Sequence, residues 1–298
     1  MAGKVAIGIQ DYSVLIENKY FYIDKTSFIK EWWESGDSVT LINRPRRFGK
    51  TLNISMTEQF FSVDYAGRGD LFEGLFIWKD EKYRKIQGTY PVISLSFANV
   101  KERNYTNTRD KICQLITNLY VKYSFLRDSD VLTDKDREYF DRISVNMRDV
   151  VATLALYQLS DYLHRYYGKK VIILLDEYDT PMQEAYVDGF LRESNEPSES
   201  SLSFGDCPRT GTFECAGRDE LVAFTRSMFN ATFKTNPWLE RGLMTGITRV
   251  SKESIFSDLN NLKVVTTTSD EYATAFGFTE QEVFAALEDY GLGKEKIK

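Results

Sequence analysis

Five apolar stretches rich in β-branched residues lie at wide intervals along the 298-residue chain, and they restrict its fold more than any other feature. They cover residues 38–43, 91–97, 170–176, 242–248 and 262–267. Most are nearly continuous apolar runs, which are typical of strands buried on both faces, whereas a half-exposed strand alternates apolar and polar residues. The sequence therefore predicts that these strands form the centre of the fold.

Segments whose apolar residues recur at helical spacing separate the strands, at 50–62, 107–125, 147–168 and 219–235. Alternating strands and helices require crossover connections, which give a mostly parallel sheet with helices on both faces. We therefore predict an α/β fold with a mostly parallel, five-stranded core sheet flanked by helices. The segment 192–218 is rich in Ser, Glu, Gly and Pro, and we interpret it as a surface loop or insertion, with a lid or partner-binding loop as the alternative.

Composition argues against several classes of protein. The formal net charge of −6 does not suit a protein that mainly coats nucleic acid with lysine and arginine. No apolar run approaches the roughly 20 residues that span a bilayer, so we expect no membrane partner. Cys113, Cys207 and Cys215 are too few and too scattered for a disulfide framework, which favours a cytoplasmic location.

The junction between the first strand and the first long helix, residues 44–51, reads "RPRRFGKT". It ends like a phosphate-binding loop: Gly49 lets the backbone approach phosphate, Lys50 reaches the β- and γ-phosphate oxygens, and Thr51 binds Mg²⁺. Loop amides and a helix N-terminus together favour anions, so the strand-to-helix setting gives weight to a tripeptide that is common elsewhere.

The loop departs from the usual pattern because Arg44 stands where a glycine is expected. We interpret Pro45 as taking over part of the glycine's role by fixing the backbone turn. The sequence leaves the partners of Arg44, Arg46 and Arg47 open among phosphate, an acidic neighbour and another subunit.

Two further strands end in polar residues that suit the same site. The third ends in Asp176, which would hold a Mg²⁺-bound water, and Glu177, which would orient or deprotonate the attacking water. The alternative is that both acidic residues simply extend into solvent at the end of the strand. The fourth ends in Thr248 and Arg249, and Arg249 would either stabilise charge developing on the γ-phosphate or lie exposed.

Six motifs follow one another along the chain: "FYIDKTSFIKE", "LINRPRRFGKTLNISM", "PVISLSF", "VIILLDEYD", "TGITRVSKESIFSDLNNLKV" and "FGFTEQEV". In this order they resemble the bacterial AAA-ATPase-like domain family, which is similar to the STAND-related, archaeal-type P-loop ATPases. The resemblance runs from about residue 7 to residue 285. It implies ATP and Mg²⁺ as cofactors and an ASCE-type P-loop NTPase fold with strand order 5-1-4-3-2.

The resemblance also implies roles for individual residues. Lys50 and Glu177 would be catalytic, and Thr51 and Asp176 would bind the metal. Arg249 is a further catalytic candidate because of its place at the end of the fourth strand. The nucleotide would contact Arg46, Arg47, Phe48, Gly49, Lys50, Thr51 and Leu52, with Asp24 and Lys25 as weaker candidates beside adenine.

The resemblance divides the chain into a P-loop domain at 1–268 and the start of a truncated C-terminal helical or lid region at 269–298. Relatives of this kind often carry a PD-(D/E)XK nuclease-like domain. We therefore expect a Mg²⁺-dependent ATPase that binds ATP and ADP and switches an attached or associated effector.

Two alternatives stay open at this point. One is a nucleotide-binding regulatory module with little turnover, which self-associates to obtain an arginine from a neighbour. The other is a nucleic-acid-processing protein in which the basic residues of the loop contact DNA phosphates, although the acidic net charge argues against it.

Overall fold

The computed structural model of the protein describes residues 4–185, 213–247, 256 and 258–291. Within them, a five-stranded sheet forms the centre of the fold. Its strands are β1 (Val39–Asn43), β2 (Val92–Ser96), β3 (Val171–Asp176), β4 (Leu239–Gly246) and β5 (Leu262–Val265). The predicted strands are thus confirmed, although β4 ends at Gly246 rather than at residue 248.

Every pair of neighbouring strands in this sheet is parallel. The strand order is β2-β3-β4-β1-β5, which read from the β5 edge is 5-1-4-3-2, the order that the resemblance implies. Because β4 lies between β1 and β3, the carboxyl ends of these three strands meet at one edge of the sheet. In open parallel sheets, ligands bind outside this edge.

Helices cover both faces of the sheet, as the alternation of elements predicts. One face packs against α1 (Tyr12–Glu17), α2 (Ser27–Glu34), α3 (Lys50–Phe61) and α4 (Glu81–Ile86). The other packs against α5 (Tyr105–Lys122), α6 (Asp134–Asp141), α7 (Asp149–Tyr167) and α8 (Phe213–Phe233). A further helix, α9 (Glu280–Asp289), follows β5.

The side chains of β3 show why its sequence is apolar without interruption. Ile172 and Leu174 lie in the core with α1 to α4, whereas Ile173 and Leu175 lie in the core on the opposite face. Successive strand residues point to opposite faces, so a strand covered on both sides needs apolar residues at every position. All six residues of β3 are buried.

The prediction of a loop at residues 192–218 requires a correction. Residues 186–212 lie outside the described part of the chain, but residues 213–218 belong to α8. The helix therefore begins at Phe213 rather than at residue 219, and the expectation of a loop is wrong for its last residues. The Gly- and Ser-rich composition of the preceding residues hid this helix start, because composition averages over a window.

No helix within the described ranges combines the length and the apolar character that crossing a membrane requires.

Candidate functional site

The loop between β1 and α3 begins and ends at defined backbone contacts. At its start, the amide of Arg44 donates to the carbonyl oxygen of Gly246, 3.1 Å away, and so continues the pairing of β1 with β4. At its end, Gly49 caps α3 with a left-handed backbone, φ 76° and ψ 14°. A Cβ at Gly49 would meet no atom within 4 Å, so the backbone conformation, which non-glycine residues rarely adopt, favours glycine here.

The middle of the loop is open to solvent. Residues 45–49 are all exposed, including the candidate contacts Arg46, Arg47 and Phe48. Arg47 also has a left-handed backbone, with φ 67°, which is uncommon outside glycine. The exposed loop precedes the N-terminus of a helix of 12 residues, and helix N-termini attract anions.

Lys50, in contrast, is buried, with 5% of its surface exposed. Its Nζ donates to the carbonyl oxygens of Arg44 at 3.0 Å and Pro45 at 2.9 Å. Burial lowers the pKa of this ammonium group, and the charges of Glu177, Asp176 and Asp179 act in the opposite direction. Within the described ranges no carboxylate forms an ion pair with it, so its charge is held by carbonyl dipoles.

Asp176 connects the loop helix to the strands beside it. This carboxylate is 2% exposed at the last position of β3. Its Oδ2 accepts from Thr51 Oγ1 at 2.8 Å, and its Oδ1 accepts from Thr245 Oγ1 at 2.5 Å. Thr245 lies on β4, the strand between β1 and β3, and so fills the space between the two motifs.

Glu177 follows directly in a strained turn. Its backbone is left-handed, with φ 50°, and its amide lies 3.4 Å from Thr245 Oγ1, to which it donates. Its carboxylate accepts from Thr180 Oγ1 at 3.3 Å. A glutamate with positive φ is uncommon, and such residues concentrate at functional sites.

Gly246 lets this turn approach β4 closely. A Cβ at this position would lie 2.5 Å from the ring of Tyr178 and 2.9 Å from Asp179 Oδ1. The amide of Tyr178 donates to the carbonyl oxygen of Thr245 at 3.1 Å, which holds the turn in place. A side chain at position 246 would therefore displace the turn that carries Glu177.

Asn43, the last residue of β1, also bears on the site. It is 5% exposed, and neither atom of its amide has a hydrogen-bond partner in the part of the chain that the structure describes. Buried polar groups without partners are rare, so this amide at the end of β1 is available to a water or a ligand at the same edge of the sheet.

Other predicted residues are engaged elsewhere or lie outside the described ranges. Asp24 accepts from both the amide and the hydroxyl of Thr26 and from the amide of Phe76, so its oxygens serve the fold. Lys25 is ion-paired with Glu282 at 2.6 Å. Leu52 is half-buried and packs on the core with α1 to α4. Residues 248–255, with Thr248 and Arg249, lie outside the described ranges.

The structure thus brings Lys50, Thr51, Asp176 and Glu177 together at one edge of the sheet. Sequence reasoning missed Thr245, although the signal was present: it is a polar residue inside the apolar run 242–247. It also left open the partner of Arg44, which is 4% exposed and packs away from the solvent-exposed loop.

The comparison with known families adds an independent finding. The family model described as "Predicted AAA-ATPase" matches residues 6–202, which is more than half of the chain. The chain belongs to this AAA-ATPase-like family. The motifs around Lys50 and Asp176 both fall within the matched region.

A curated relative of this AAA-ATPase-like chain is the "Uncharacterized protein in vnfD 5'region" of Azotobacter chroococcum mcd 1. It is 26% identical over 298 residues, which cover 99% of this chain and 47% of the relative. The chain therefore spans about half the length of the curated relative it matches. No solved structure matches the chain.

Proposed function

We propose that the chain binds ATP together with Mg²⁺ and hydrolyses it, as a P-loop ATPase of the ASCE type. The observation that carries this proposal is the contact of Thr51 Oγ1 with Asp176 Oδ2, 2.8 Å apart, beside the buried Lys50. A threonine after a loop lysine and an aspartate at the end of a buried strand are the groups that position Mg²⁺ in P-loop ATPases.

Binding of the polyphosphate rests on the loop and on Lys50. The exposed loop and the N-terminus of α3 favour an anion, and Lys50 would exchange its two carbonyl acceptors for phosphate oxygens. Arg46 and Arg47 are exposed beside the loop and would add positive potential, while Phe48, Gly49 and Leu52 shape the loop and its helix.

The residues present also fit Mg²⁺. Within the described ranges no group of three or more His, Cys, Asp or Glu forms a metal site. Mg²⁺ in nucleotide sites usually needs one or two protein ligands, with phosphate oxygens and waters completing the shell. Thr51 and Asp176 supply hard oxygen donors in the same place. Bound Mg²⁺ would neutralise charge on the phosphate oxygens.

For hydrolysis, Glu177 is the group that would take a proton from the attacking water. Glu177 is half-buried next to Asp176, and its charge offsets part of the lowering of the Lys50 pKa by burial. Thr245 would act through Asp176, because its hydroxyl fixes the carboxylate from the β4 side. Arg249 is a further candidate for stabilising charge on the γ-phosphate.

One observation favours a second candidate, a nucleotide-binding module with little turnover of its own. The hydroxyl of Thr180 donates to one oxygen of the Glu177 carboxylate, and so occupies an acceptor site that an attacking water could use. In this version an arginine from a second copy or an effector completes the site, and ATP and ADP act as switch ligands.

Phosphate release from Mg²⁺-ATP by wild type, Glu177→Gln and Glu184→Gln tests the proposal. Glu184 lies in the helical turn that follows the same strand, so it controls for the loss of a nearby carboxylate. We expect Glu177→Gln to lower the rate by about 10²- to 10⁴-fold while ATP still binds, because general base catalysis contributes this much. Equal rates for Glu177→Gln and wild type would contradict the assignment of the base.

A series of protein concentrations in the same assay separates the two candidates. A constant rate per subunit supports the ATPase acting alone, whereas a rate per subunit that rises with concentration supports a site completed by a second copy. A wild-type chain that neither binds nor hydrolyses ATP would refute both.

A further inference from the structure

The segment that follows β5, residues 271–277, lies directly against the phosphate loop and the start of α3. Asn53 in the first turn of α3 donates to the carbonyl oxygen of Ala275 at 2.8 Å. The amide of Gly277 donates to the carbonyl oxygen of Phe48 at 3.1 Å. These two bonds join the segment to the loop and to its helix.

Arg44 makes a third connection, and it does so from the position where the loop pattern has a glycine. Its guanidinium donates to the carbonyl oxygen of Glu271 at 3.5 Å and to that of Asn43 at 3.1 Å. The same guanidinium lies over the ring of Phe276, 5.6 Å from its centroid. Among the described residues no carboxylate pairs with Arg44, so its buried charge is held by carbonyl oxygens and an aromatic face.

Lys25 fixes the middle of the same segment and connects it to α9. Its Nζ donates to the carbonyl oxygen of Thr274 at 2.7 Å and to both carboxylate oxygens of Glu282. Glu282 is also the third residue of α9 and forms a capping box with Thr279, so the ion pair holds the first turn of this helix. Through Lys25, the segment 271–277 therefore connects the phosphate loop to the first turn of α9.

The loop lysine acts on the backbone of the same residues. Lys50 Nζ donates to the carbonyl oxygens of Arg44 and Pro45. A phosphate that takes over Lys50 removes the donor from the carbonyl of Arg44, whose side chain holds Glu271 and Phe276. Lys50, which would bind the phosphate, and Arg44, which contacts segment 271–277, are thus linked through the carbonyl group of Arg44.

We propose that Arg44 is a positioning residue that ties the phosphate loop to segment 271–277, so that the nucleotide-binding conformation of the loop and the placement of α9 are set together. This inference rests on the proposed function for the identity of the ligand. It assigns to Arg44 a role that a glycine cannot perform, and it explains why its guanidinium is turned from solvent. It also names α9 as the element that responds to the nucleotide.

Amide hydrogen exchange on the nucleotide-free chain tests the tie from both ends. Lys25→Met removes the link to α9, and we expect faster exchange in α9 and also in the first turn of α3. Arg44→Gly removes the link at the loop, and we expect faster exchange in the loop and also in α9. An increase of about tenfold corresponds to about 1.4 kcal/mol of local opening free energy.

Matched controls keep the test specific. Glu288→Gln changes an exposed carboxylate on the same helix, and Arg103→Gly places a glycine at an exposed arginine in another loop. Neither should change exchange at the opposite end of the tie. Arg44→Lys keeps the charge but lacks the planar guanidinium, so it should restore only part of the protection. If Lys25→Met changes exchange only around residue 25 and in α9, and Arg44→Gly changes it only in the loop and α3, the proposal is overturned.

A second arm adds Mg²⁺-ATP. In wild type, binding should change exchange in α9, and in Arg44→Gly this response should be lost although ATP still binds. Binding without any response of α9 in wild type would overturn the proposal. The two variants could each speed exchange at the opposite end while the wild-type chain does not bind ATP. This result would support the connection between the loop and α9 but would refute the proposed function. The failure of the inference and the failure of the proposed function are therefore distinguishable.

Discussion

Two lysines of this protein are buried to nearly the same extent, but one is paired with a carboxylate and the other with backbone carbonyls. Lys25 is 7% exposed and Lys50 is 5% exposed. Lys25 meets the carboxylate of Glu282 through both oxygens, at 2.6 and 2.7 Å. Lys50 meets two backbone carbonyls, and within the described residues its nearest carboxylates lie beyond ion-pair distance.

The difference separates a structural charge from one available to a ligand. A buried charge is expensive unless it is paired, and Lys25 is paired by the fold itself. Lys50 is held by carbonyl dipoles only, so burial lowers its pKa. An anion that binds beside it would stabilise the charged form of the lysine. This contrast favours Lys50 as the centre of the proposed site more clearly than the tripeptide motif does.

The largest expected effect is on ligand binding. Lys50→Met should abolish the stabilisation by Mg²⁺-ATP, which for a binding chain is about 2.7 kcal/mol at 100 times the dissociation constant. Lys25→Met should keep most of it. Thermal unfolding with and without Mg²⁺-ATP measures both variants, and an equal loss in the two would erase the distinction between the lysines.

The order should reverse for stability without nucleotide. Lys25→Met leaves the carboxylate of Glu282 without its cation, and we expect a loss of about 1–3 kcal/mol of unfolding free energy. Lys50→Met removes a charge that burial already disfavours, and we expect a change within about 1 kcal/mol. Denaturant unfolding monitored by tryptophan fluorescence measures both. A greater loss for Lys50→Met would show that its charge serves the fold.

A smaller effect concerns the pH dependence of binding. Because burial lowers the pKa of Lys50, the lysine loses its charge at a lower pH than an ordinary lysine does. As the pH rises, the affinity for Mg²⁺-ATP should therefore begin to fall before the ordinary lysine pKa of about 10.4 is reached, by up to tenfold per pH unit. Lys50→Arg stays charged and should give a flat profile if it binds at all. A wild-type affinity that is constant up to that pH would contradict this reading of Lys50.

The smallest effect is the acid response of the Lys25–Glu282 pair. Burial alone would raise the pKa of Glu282, but the bonds from Lys25 and Thr279 outweigh it, and the pKa lies below its ordinary value. The stabilisation is therefore present above the unfolded pKa and is lost as the pH falls through the folded one. The difference in unfolding free energy between wild type and Glu282→Gln should shrink from about pH 5 towards pH 3. A constant difference would assign it to packing.

The sequence predicted much of this architecture because the strands of a parallel sheet are buried on both faces and therefore read as unbroken apolar runs. β3 and the start of α3 are found where the patterns place them. Thr51 and Asp176 were both predicted at the edge where β1 and β3 end, because the carboxyl ends of parallel strands share one edge, and their side chains lie 2.8 Å apart there. The division of the chain at residue 268 stays a prediction.

What the sequence did not show depends on contacts between distant residues. Nothing in "RPRRF" indicates that Arg44 turns to Phe276, because that partner is more than 200 residues away. Thr245 gives a weak signal, as threonine is common in strands. The ion pair of Lys25 with Glu282 has no local signature either. Long-range side-chain partners require the fold before they can be named.

The position of β4 has a consequence for dissecting the protein. The region matched by the family model ends at residue 202, before β4 begins at Leu239. A fragment cut to that match would carry Lys50, Thr51, Asp176 and Glu177 but would lack the strand that separates β1 from β3. Its two remaining inner strands would expose unpaired edges and have no spacer between them. The shortest fragment with a complete site must therefore include β4. The boundaries chosen for expression should follow the strands of the sheet and not the sequence motifs.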